Sequence, residues 1–337
     1  MNTYPAGKLP HAELDRLLSA YTHRHERLVV PPTLGEDAAV IDFGDRLLVA
    51  KTDPITFATD QIGWYAVHVN ANDIAAMGAT PRFFLSTVLL PTDQATPALT
   101  ESILRSIHEA ATSLDIAVCG GHTEITHGID RPIVIGQMLG ETTRDALVRS
   151  SGLKPGHALI LTKGLGIEAT AIIAREKRAE LLAKGYDASY LDICANFLHT
   201  PGISVVQDAQ IATRAGQVTA MHDPTEGGVA TGLYELATAS NVGLEIDSET
   251  LSSAPETTRL CAEFDLDPLG VISSGALLIG CEAGSTDALL SALNAQDISA
   301  TRIGVVRDSS FGLQLSRDGL LSPLPTFATD EITRLFS

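Results

Sequence analysis

The chain has 337 residues, of which 45% are hydrophobic and 19% are charged, and its formal net charge is -18. This length is sufficient for two domains of ordinary size, and the composition is that of a globular protein. The acidic excess argues against a nucleic-acid-binding surface, which needs clustered Lys and Arg. We therefore expect a partner other than nucleic acid.

The sequence also indicates no membrane attachment. No stretch approaches the roughly 20 apolar residues of a membrane-spanning helix, and the start, Met1 to Pro10, has no apolar run typical of a secretory signal. The four cysteines have no CxxC spacing, which is typical of reduced thiols rather than of a zinc site or a disulfide framework. These features predict a cytoplasmic protein.

The predicted elements of the first half alternate between strands and helices around one hairpin. Gly44-Asp45 separates two β segments, which is a strong hairpin signal, and Gly78 follows a long apolar helix. In chain order, the predicted elements are helix Leu9–Tyr21, strands Ala38–Phe43 and Arg46–Lys51, helix Gln61–Met77, strand Arg82–Leu90, helix Ala98–Leu114, and strands Ile116–Cys119 and Ile133–Gly140. Because a hairpin accompanies the alternation, we expect an α+β fold with a mixed sheet.

The polar stretch from Arg144 to Gly156 predicts a boundary between two domains, residues 1–148 and 149–337. Strands and helices alternate again beyond it. The predicted elements are strand His157–Thr162, helices Glu168–Lys184, Leu191–Leu198 and Ser204–Ala215, strand Thr219–His222, helix Val229–Ser240, strand Gly243–Ile246, helix Glu256–Phe264, and strands Ala276–Cys281, Ala300–Val306 and Gly312–Ser316.

Three carboxylates of the first half, Asp37, Asp53 and Asp73, lie at or near junctions of apolar segments with turns or helices. Ionised carboxylates that converge need a compensating cation, and Mg²⁺ prefers oxygen ligands and often bridges phosphates. Asn70 lies three residues before Asp73, so both side chains project from one face of the predicted helix. The alternative interpretation is that the aspartates are unrelated caps and turn residues.

Three further motifs combine glycines with polar residues. Gly120-Gly121-His122-Thr123-Glu124 follows a predicted strand end at Cys119, where glycines allow a backbone to approach a phosphate; the alternative is a polar turn. Lys163-Gly164-Leu165-Gly166 lacks the Walker spacing but is compatible with an anion site at a helix start, or with a structural turn. In the segment His222–Gly228, a capping role explains Asp223 or Thr225 alone, but not the whole set of polar residues at a strand end.

Six segments, in their order along the chain, resemble the aminoimidazole ribonucleotide synthetase superfamily. They are GEDAAVI, TDPI, NANDIAAMGATP, GGHTE, GLKPGHALILTKGLG and HDPTEGG. The superfamily also includes selenophosphate synthetase, thiamine-monophosphate kinase and the hydrogenase-maturation carbamoyl dehydratase. The resemblance covers about Gly7 to Val306. The similarity to the hydrogenase-maturation enzyme is carried by GEDAAVID, HDPTEGG and the strand Leu244–Asp247.

The resemblance implies a two-domain PurM-like fold whose amino-terminal domain pairs with its copy into a dimeric β-barrel, followed by an α/β sandwich domain. It implies ATP and Mg²⁺ as cofactors and phosphoryl transfer by positioning and charge neutralisation. The residues at matching positions are metal ligands Asp37, Asp53, Asp73 and Asp223, cofactor-binding residues Asn70, Asn72, Gly120, Gly121, Thr123, Lys163 and Gly164, and catalytic residues Asp73, Asp223 and His122.

The sequence departs from the superfamily in three places. No cysteine follows Cys281 and none precedes Cys119, so we expect neither the carboxyl-terminal cysteine of the hydrogenase-maturation enzyme nor the amino-terminal one of the selenium enzyme to act here. Ser273-Ser274 stands where relatives often have Glu before Gly, which affects the expected acceptor pocket.

The resulting hypothesis is a homodimeric, ATP- and Mg²⁺-dependent enzyme that phosphorylates or dehydrates a small amide-like or oxyanion acceptor. One alternative is a non-catalytic nucleotide-binding scaffold in a hydrogenase-maturation-like complex with a partner protein. Another is a small-molecule kinase similar to thiamine-monophosphate kinase.

Overall fold

The computed structural model of the protein describes residue 4 and residues 9–23, 25–56, 58 and 60–336. They form two compact units. The amino-terminal unit comprises residues 25–31 and 38–147. The carboxyl-terminal unit comprises the described residues from Val148 onward, residues 32–37, and the described residues before His25, which include helix α1 (His11–Tyr21).

The amino-terminal unit contains a six-stranded sheet in the order β1-β2-β3-β6-β4-β5. Strands β4 and β5 are parallel and the other neighbours are antiparallel, so the sheet is mixed, as predicted. Its strands are β1 (Leu28–Val30), β2 (Ala39–Asp42), β3 (Leu47–Ile55), β4 (Thr80–Pro91), β5 (Ala117–Thr126) and β6 (Ile133–Thr142), and its helices are α2 (Ile62–Ala76) and α3 (Pro97–Ser113).

Helix α2 is apolar on nearly every side, and the structure buries it between the sheet and α3. A helix of this composition is stable where protein surrounds it, so its polar residues are held in fixed positions. The predicted hairpin around Gly44-Asp45 is confirmed by the antiparallel pairing of Ala39 to Asp42 with Leu47 to Ala50.

The prediction that a strand ends at Cys119 is wrong, because β5 continues to Thr126. The paired glycines continue the strand instead of opening a turn. Gly121 pairs with Ser86 of the neighbouring β4, and a Cβ at Gly121 would lie 2.2 Å from the Ser86 carbonyl oxygen. Glycine is therefore needed at this position for close pairing of the two strands.

The carboxyl-terminal unit contains a seven-stranded mixed sheet in the order β13-β12-β9-β11-β7-β10-β8, with β9 and β12 parallel. Its strands are β7 (Ala158–Thr162), β8 (Val218–His222), β9 (Gly243–Asp247), β10 (Leu278–Cys281), β11 (Ala300–Arg307), β12 (Leu313–Arg317) and β13 (Leu320–Pro323). Its further helices are α4 (Ile167–Glu176), α5 (Arg178–Ala183), α6 (Ala188–Ala195), α7 (Val206–Ala215), α8 (Gly228–Ser240), α9 (Pro255–Glu263) and α10 (Thr286–Asn294). Short 3₁₀ turns span Ser150–Gly152, Asn196–Leu198, Ala283–Ser285, Ser309–Phe311 and Glu331–Leu335.

The core of this unit is aliphatic. It includes buried leucines and isoleucines of the sheet and of α8, among them Leu161, Leu233, Leu236, Leu278 and Ile303. Removing such side chains from water supplies the main stabilising free energy of the unit.

Two features of this unit differ from the sequence prediction. The helix predicted over Glu168–Lys184 is divided into α4 and α5 at Lys177, whose backbone leaves the helical region with φ -103° and ψ 14°. Helix α10 and strand β13 had no predicted counterpart.

Within residues 9–23, 25–56 and 60–336, no helix has both the length and the apolar composition needed to cross a membrane.

Candidate functional site

The amino-terminal unit brings Asp53 and Asp73 together around a lysine. Lys51 and Asp53 are two residues apart on β3 and therefore project from the same face of the strand, while Asp73 projects from α2, which packs on β3. The Lys51 Nζ atom lies 2.9 Å from Asp73 Oδ1 and 3.2 Å from Asp53 Oδ2. We call these three residues the Lys51 cluster.

Both carboxylates of the Lys51 cluster were predicted from the sequence, whereas Lys51 was not. Lys51 could have been predicted from its spacing, because residues two apart on a strand, such as Lys51 and Asp53, project from the same face. The Asp73 side chain is 7% exposed and the Asp53 side chain 34% exposed, so a ligand can reach the cluster from the Asp53 side. Both side chains offer the hard oxygen donors that a divalent cation such as Mg²⁺ prefers.

Asn70 fixes the backbone that carries Asp53. Its Oδ1 atom accepts a hydrogen bond of 2.9 Å from the Asp53 amide, and its Nδ2 atom donates to the carbonyl oxygens of Asp53 and Ala66. Asn70 thus positions Asp53. Asn72 lies fully buried on the same helix. Direct cofactor binding by Asn70 and Asn72 stays a prediction.

The predicted residues of the GGHTE motif lie on the edge strand β5 and are exposed to solvent. His122 Nε2 lies 3.3 Å from Glu124 Oε2, because the two side chains are two residues apart on the strand and share a face. Cofactor binding by Gly120, Gly121 and Thr123, and a catalytic role of His122, stay predictions.

In the carboxyl-terminal unit, His222 lies between two carboxylates at the end of β8. Its Nδ1 atom is 2.5 Å from Asp37 Oδ1 and its Nε2 atom is 2.9 Å from Glu235 Oε2. All three side chains are buried. Burial opposes the charged imidazolium, but the two carboxylates outweigh it and raise the pKa of His222 well above its usual value. The pairing of His222 with Asp37 and Glu235 was not predicted from the sequence.

Asp223 follows His222 and is also buried, and its carboxylate oxygen lies within 4.8 Å of a carboxylate oxygen of Asp37. The residue at the start of α8 is Gly227, in the left-handed conformation, so helix capping does not explain Asp223. Ser150 Oγ donates to Asp37 Oδ2 over 3.1 Å. Two buried carboxylates at this distance also fit a hard cation.

The Lys163–Gly166 loop is held by contacts within the carboxyl-terminal unit. The Lys163 ammonium donates to the Ser204 carbonyl at 2.5 Å and to Asp208 Oδ2 at 3.3 Å, and burial lowers its pKa. A Cβ at Gly164 would lie 2.6 Å from the Ser252 carbonyl oxygen, so glycine is required there by packing. Cofactor binding by Lys163 and Gly164 stays a prediction.

A further buried carboxyl, Glu168 in the first turn of α4, was missed by sequence reasoning. Burial raises its pKa to about 8, while the adjacent Ser274 hydroxyl and amide favour the ionised form. Ser274 belongs to the Ser273-Ser274 segment, where the resemblance led us to expect a glutamate, and the structure places the Glu168 carboxyl beside it from another element. The two residues are far apart in sequence, and no local pattern indicates their contact.

Two family models match most of the chain. A family model described as AIR synthase related protein, N-terminal domain, matches residues 35–142, and the corresponding C-terminal domain model matches residues 154–315. The chain therefore belongs to the AIR synthase related family. This confirms the resemblance to the aminoimidazole ribonucleotide synthetase superfamily.

Among its relatives is the carbamoyl dehydratase HypE of Rhizobium leguminosarum, 28% identical over 83% of this chain and 80% of the relative. The thiamine-monophosphate kinase of Archaeoglobus fulgidus is 28% identical over 66% of this chain and 71% of the relative.

Solved structures of hydrogenase-maturation proteins have the same fold. The structure of HypE in complex with ATP matches with a TM-score of 0.71 and 19% identity, over 96% of this chain and 93% of that one. The chain in the HypE-HypF complex also matches with a TM-score of 0.71, at 23% identity, over 87% of this chain and 93% of that one. These matches confirm the predicted two-domain PurM-like α+β fold.

Proposed function

We propose that this protein is an ATP- and Mg²⁺-dependent enzyme that phosphorylates or dehydrates a small amide-like or oxyanion acceptor through the γ-phosphate of ATP. The observation that carries the proposal is the pair of carboxylates Asp53 and Asp73, held 3.2 and 2.9 Å from one ammonium group, in a chain of this family. A related solved structure contains ATP, which supports a nucleotide as the ligand.

Each unit contains its own proposed oxygen ligands. In the amino-terminal unit, Asp53 and Asp73 are the proposed ligands of Mg²⁺, and Asn70 keeps Asp53 in place. In the carboxyl-terminal unit, Asp37 and Asp223 are the proposed oxygen ligands, and His222 holds the Asp37 carboxylate. When bound, Mg²⁺ would neutralise charge on the phosphates. Rigid placement of the side chains then provides most of the rate enhancement expected for phosphoryl transfer.

The relatives support two classes of acceptor. The similarity to carbamoyl dehydratase favours activation of an amide oxygen followed by release of inorganic phosphate. The similarity to thiamine-monophosphate kinase supports, as a second candidate, direct transfer of phosphate to a small molecule. Phosphorus NMR of the products separates these reactions, because a kinase retains the phosphate on the acceptor. Binding of ATP without cleavage over a panel of acceptors would instead support the scaffold alternative.

Two assemblies are part of the proposal. The match to a chain of the HypE-HypF complex supports a partner protein in a maturation-like pathway. Strand β5 is an edge strand with exposed apolar residues, Val118 and Ile125, which supports a homodimer built on this edge.

The four free cysteines support the cytoplasm as the compartment.

The proposed function is tested by calorimetric titration of ATP, with and without Mg²⁺, into wild type, Asp53→Asn and Asp45→Asn. We expect Mg²⁺-dependent binding in wild type and about tenfold or greater weakening in Asp53→Asn, because one ligand charge is lost. Asp45 is an exposed residue of the hairpin turn in the same unit, so Asp45→Asn is the charge-matched control and should bind as wild type does. Absence of ATP binding in wild type would refute the proposal.

A further inference from the structure

In the Lys51 cluster, the positive charge beside the two carboxylates is the ammonium group of Lys51. The ammonium group lies within hydrogen-bonding distance of both carboxylates that are proposed to bind Mg²⁺. The Lys51 side chain is 22% exposed, so the cluster is partly shielded from water, and the charge interactions within it are stronger than at an open surface.

The backbone segments that carry the two carboxylates are held in place, whereas the lysine side chain can move. Asp73 belongs to a helix that is buried over its whole length, and Asn70 clamps the backbone of Asp53 from the same helix. β3, which carries Asp53, lies inside the sheet between β2 and β6. Lys51 carries its charge on a flexible four-carbon stem with three rotatable donors, so the ammonium can change partner while the strand stays in place.

A divalent metal and the ammonium compete for the same oxygen atoms. Mg²⁺ requires ligand oxygens at about 2.0–2.1 Å in octahedral geometry. Bonded to Asp73 Oδ1, it would lie close to an ammonium that is 2.9 Å from that oxygen. The two cations repel each other at such distances, so binding of the metal favours departure of Lys51 from the carboxylates. A phosphate that arrives with the metal offers the departing ammonium a new anion.

We propose that Lys51 is an exchangeable counter-ion: it neutralises Asp53 and Asp73 in the ligand-free protein and passes to a phosphate group when metal and nucleotide bind together. This inference rests on the proposed function, because it describes the same metal site. Its consequence is cooperativity, in which the lysine excludes Mg²⁺ alone and the triphosphate both delivers the metal and receives the ammonium.

The test compares Mg²⁺ alone with MgATP in calorimetric titrations of wild type and Lys51→Gln. Lys51→Gln should bind Mg²⁺ alone about tenfold or more tightly than wild type, and MgATP about tenfold or more weakly. Lys51→Met is a second neutral variant that is measured if Lys51→Gln does not fold. Lys184→Gln is the matched control, since Lys184 pairs with Glu180 and Glu263 in the other unit, and both affinities should stay at the wild-type values.

The outcomes distinguish the inference from the function on which it rests. Wild type that fails to bind MgATP refutes the proposed function. If wild type binds MgATP but the neutral Lys51 variants keep the wild-type affinity for Mg²⁺ alone or for MgATP, the counter-ion role is overturned. The proposed function then stays in place.

Discussion

Glu168 is a buried carboxyl whose removal should make the protein more stable at alkaline pH. Burial raises its pKa from 4.5 to about 8. At about 1.36 kcal/mol for each pKa unit, this difference corresponds to roughly 5 kcal/mol of unfolding free energy. In the unfolded chain Glu168 ionises above pH 4.5, whereas in the folded protein it keeps its proton up to about pH 8. The destabilisation is therefore absent at low pH, grows between these values and is complete above pH 8.

Glu168→Gln removes the ionisable group and keeps a side chain of similar size beside Ser274. We expect the variant and wild type to have similar stability near pH 4.5, and the variant to be more stable by roughly 3–5 kcal/mol at pH 8. For a unit of this size, such a gain raises the melting temperature by roughly 6–20 °C.

Urea unfolding of wild type, Glu168→Gln and Glu249→Gln from pH 4.5 to 9 measures this effect. Glu249 is exposed in a turn of the same unit, so its variant should follow wild type at every pH. A stability difference between Glu168→Gln and wild type that stays constant over this pH range would refute the reasoning, because only a titrating group gives a pH-dependent difference.

Two further predictions concern the amino-terminal unit. Gly136→Ala should weaken MgATP binding about tenfold, because its Cβ would lie 2.3 Å from Asn70 Nδ2 and displace the Asn70 side chain that holds the Asp53 backbone. Gly284→Ala is the control, because its Cβ meets nothing within 4 Å, and it should bind MgATP as wild type does. Equal affinity of both variants for MgATP would contradict the positioning role of Asn70. In sedimentation velocity, the 35.5 kDa chain should behave as a dimer and Ile125→Asp as a monomer, since a charge on β5 disfavours edge pairing. Monomeric wild type at micromolar concentration would contradict the dimer.

The sequence by itself determined most elements and the family. Apolar periodicity indicates most strands of both sheets, and the hairpin at Gly44-Asp45 follows from local turn chemistry. Asp53 and Asp73 could be predicted as partners because a strand and an apolar helix carry them close together in the chain. These features depend on residues that lie near one another in the chain, so local sequence patterns predict them.

The tertiary structure decided which side chains meet across long distances in the chain. His222 pairs with Asp37, 185 residues away, and Glu168 meets Ser274 through the packing of the carboxyl-terminal unit. The continuation of β5 through Gly120-Gly121 likewise depends on how closely β4 approaches, which a glycine pair permits but does not specify. Contacts of this kind depend on the path of the whole chain, so the charge state of His222 and the burial of Glu168 became visible only in the folded protein.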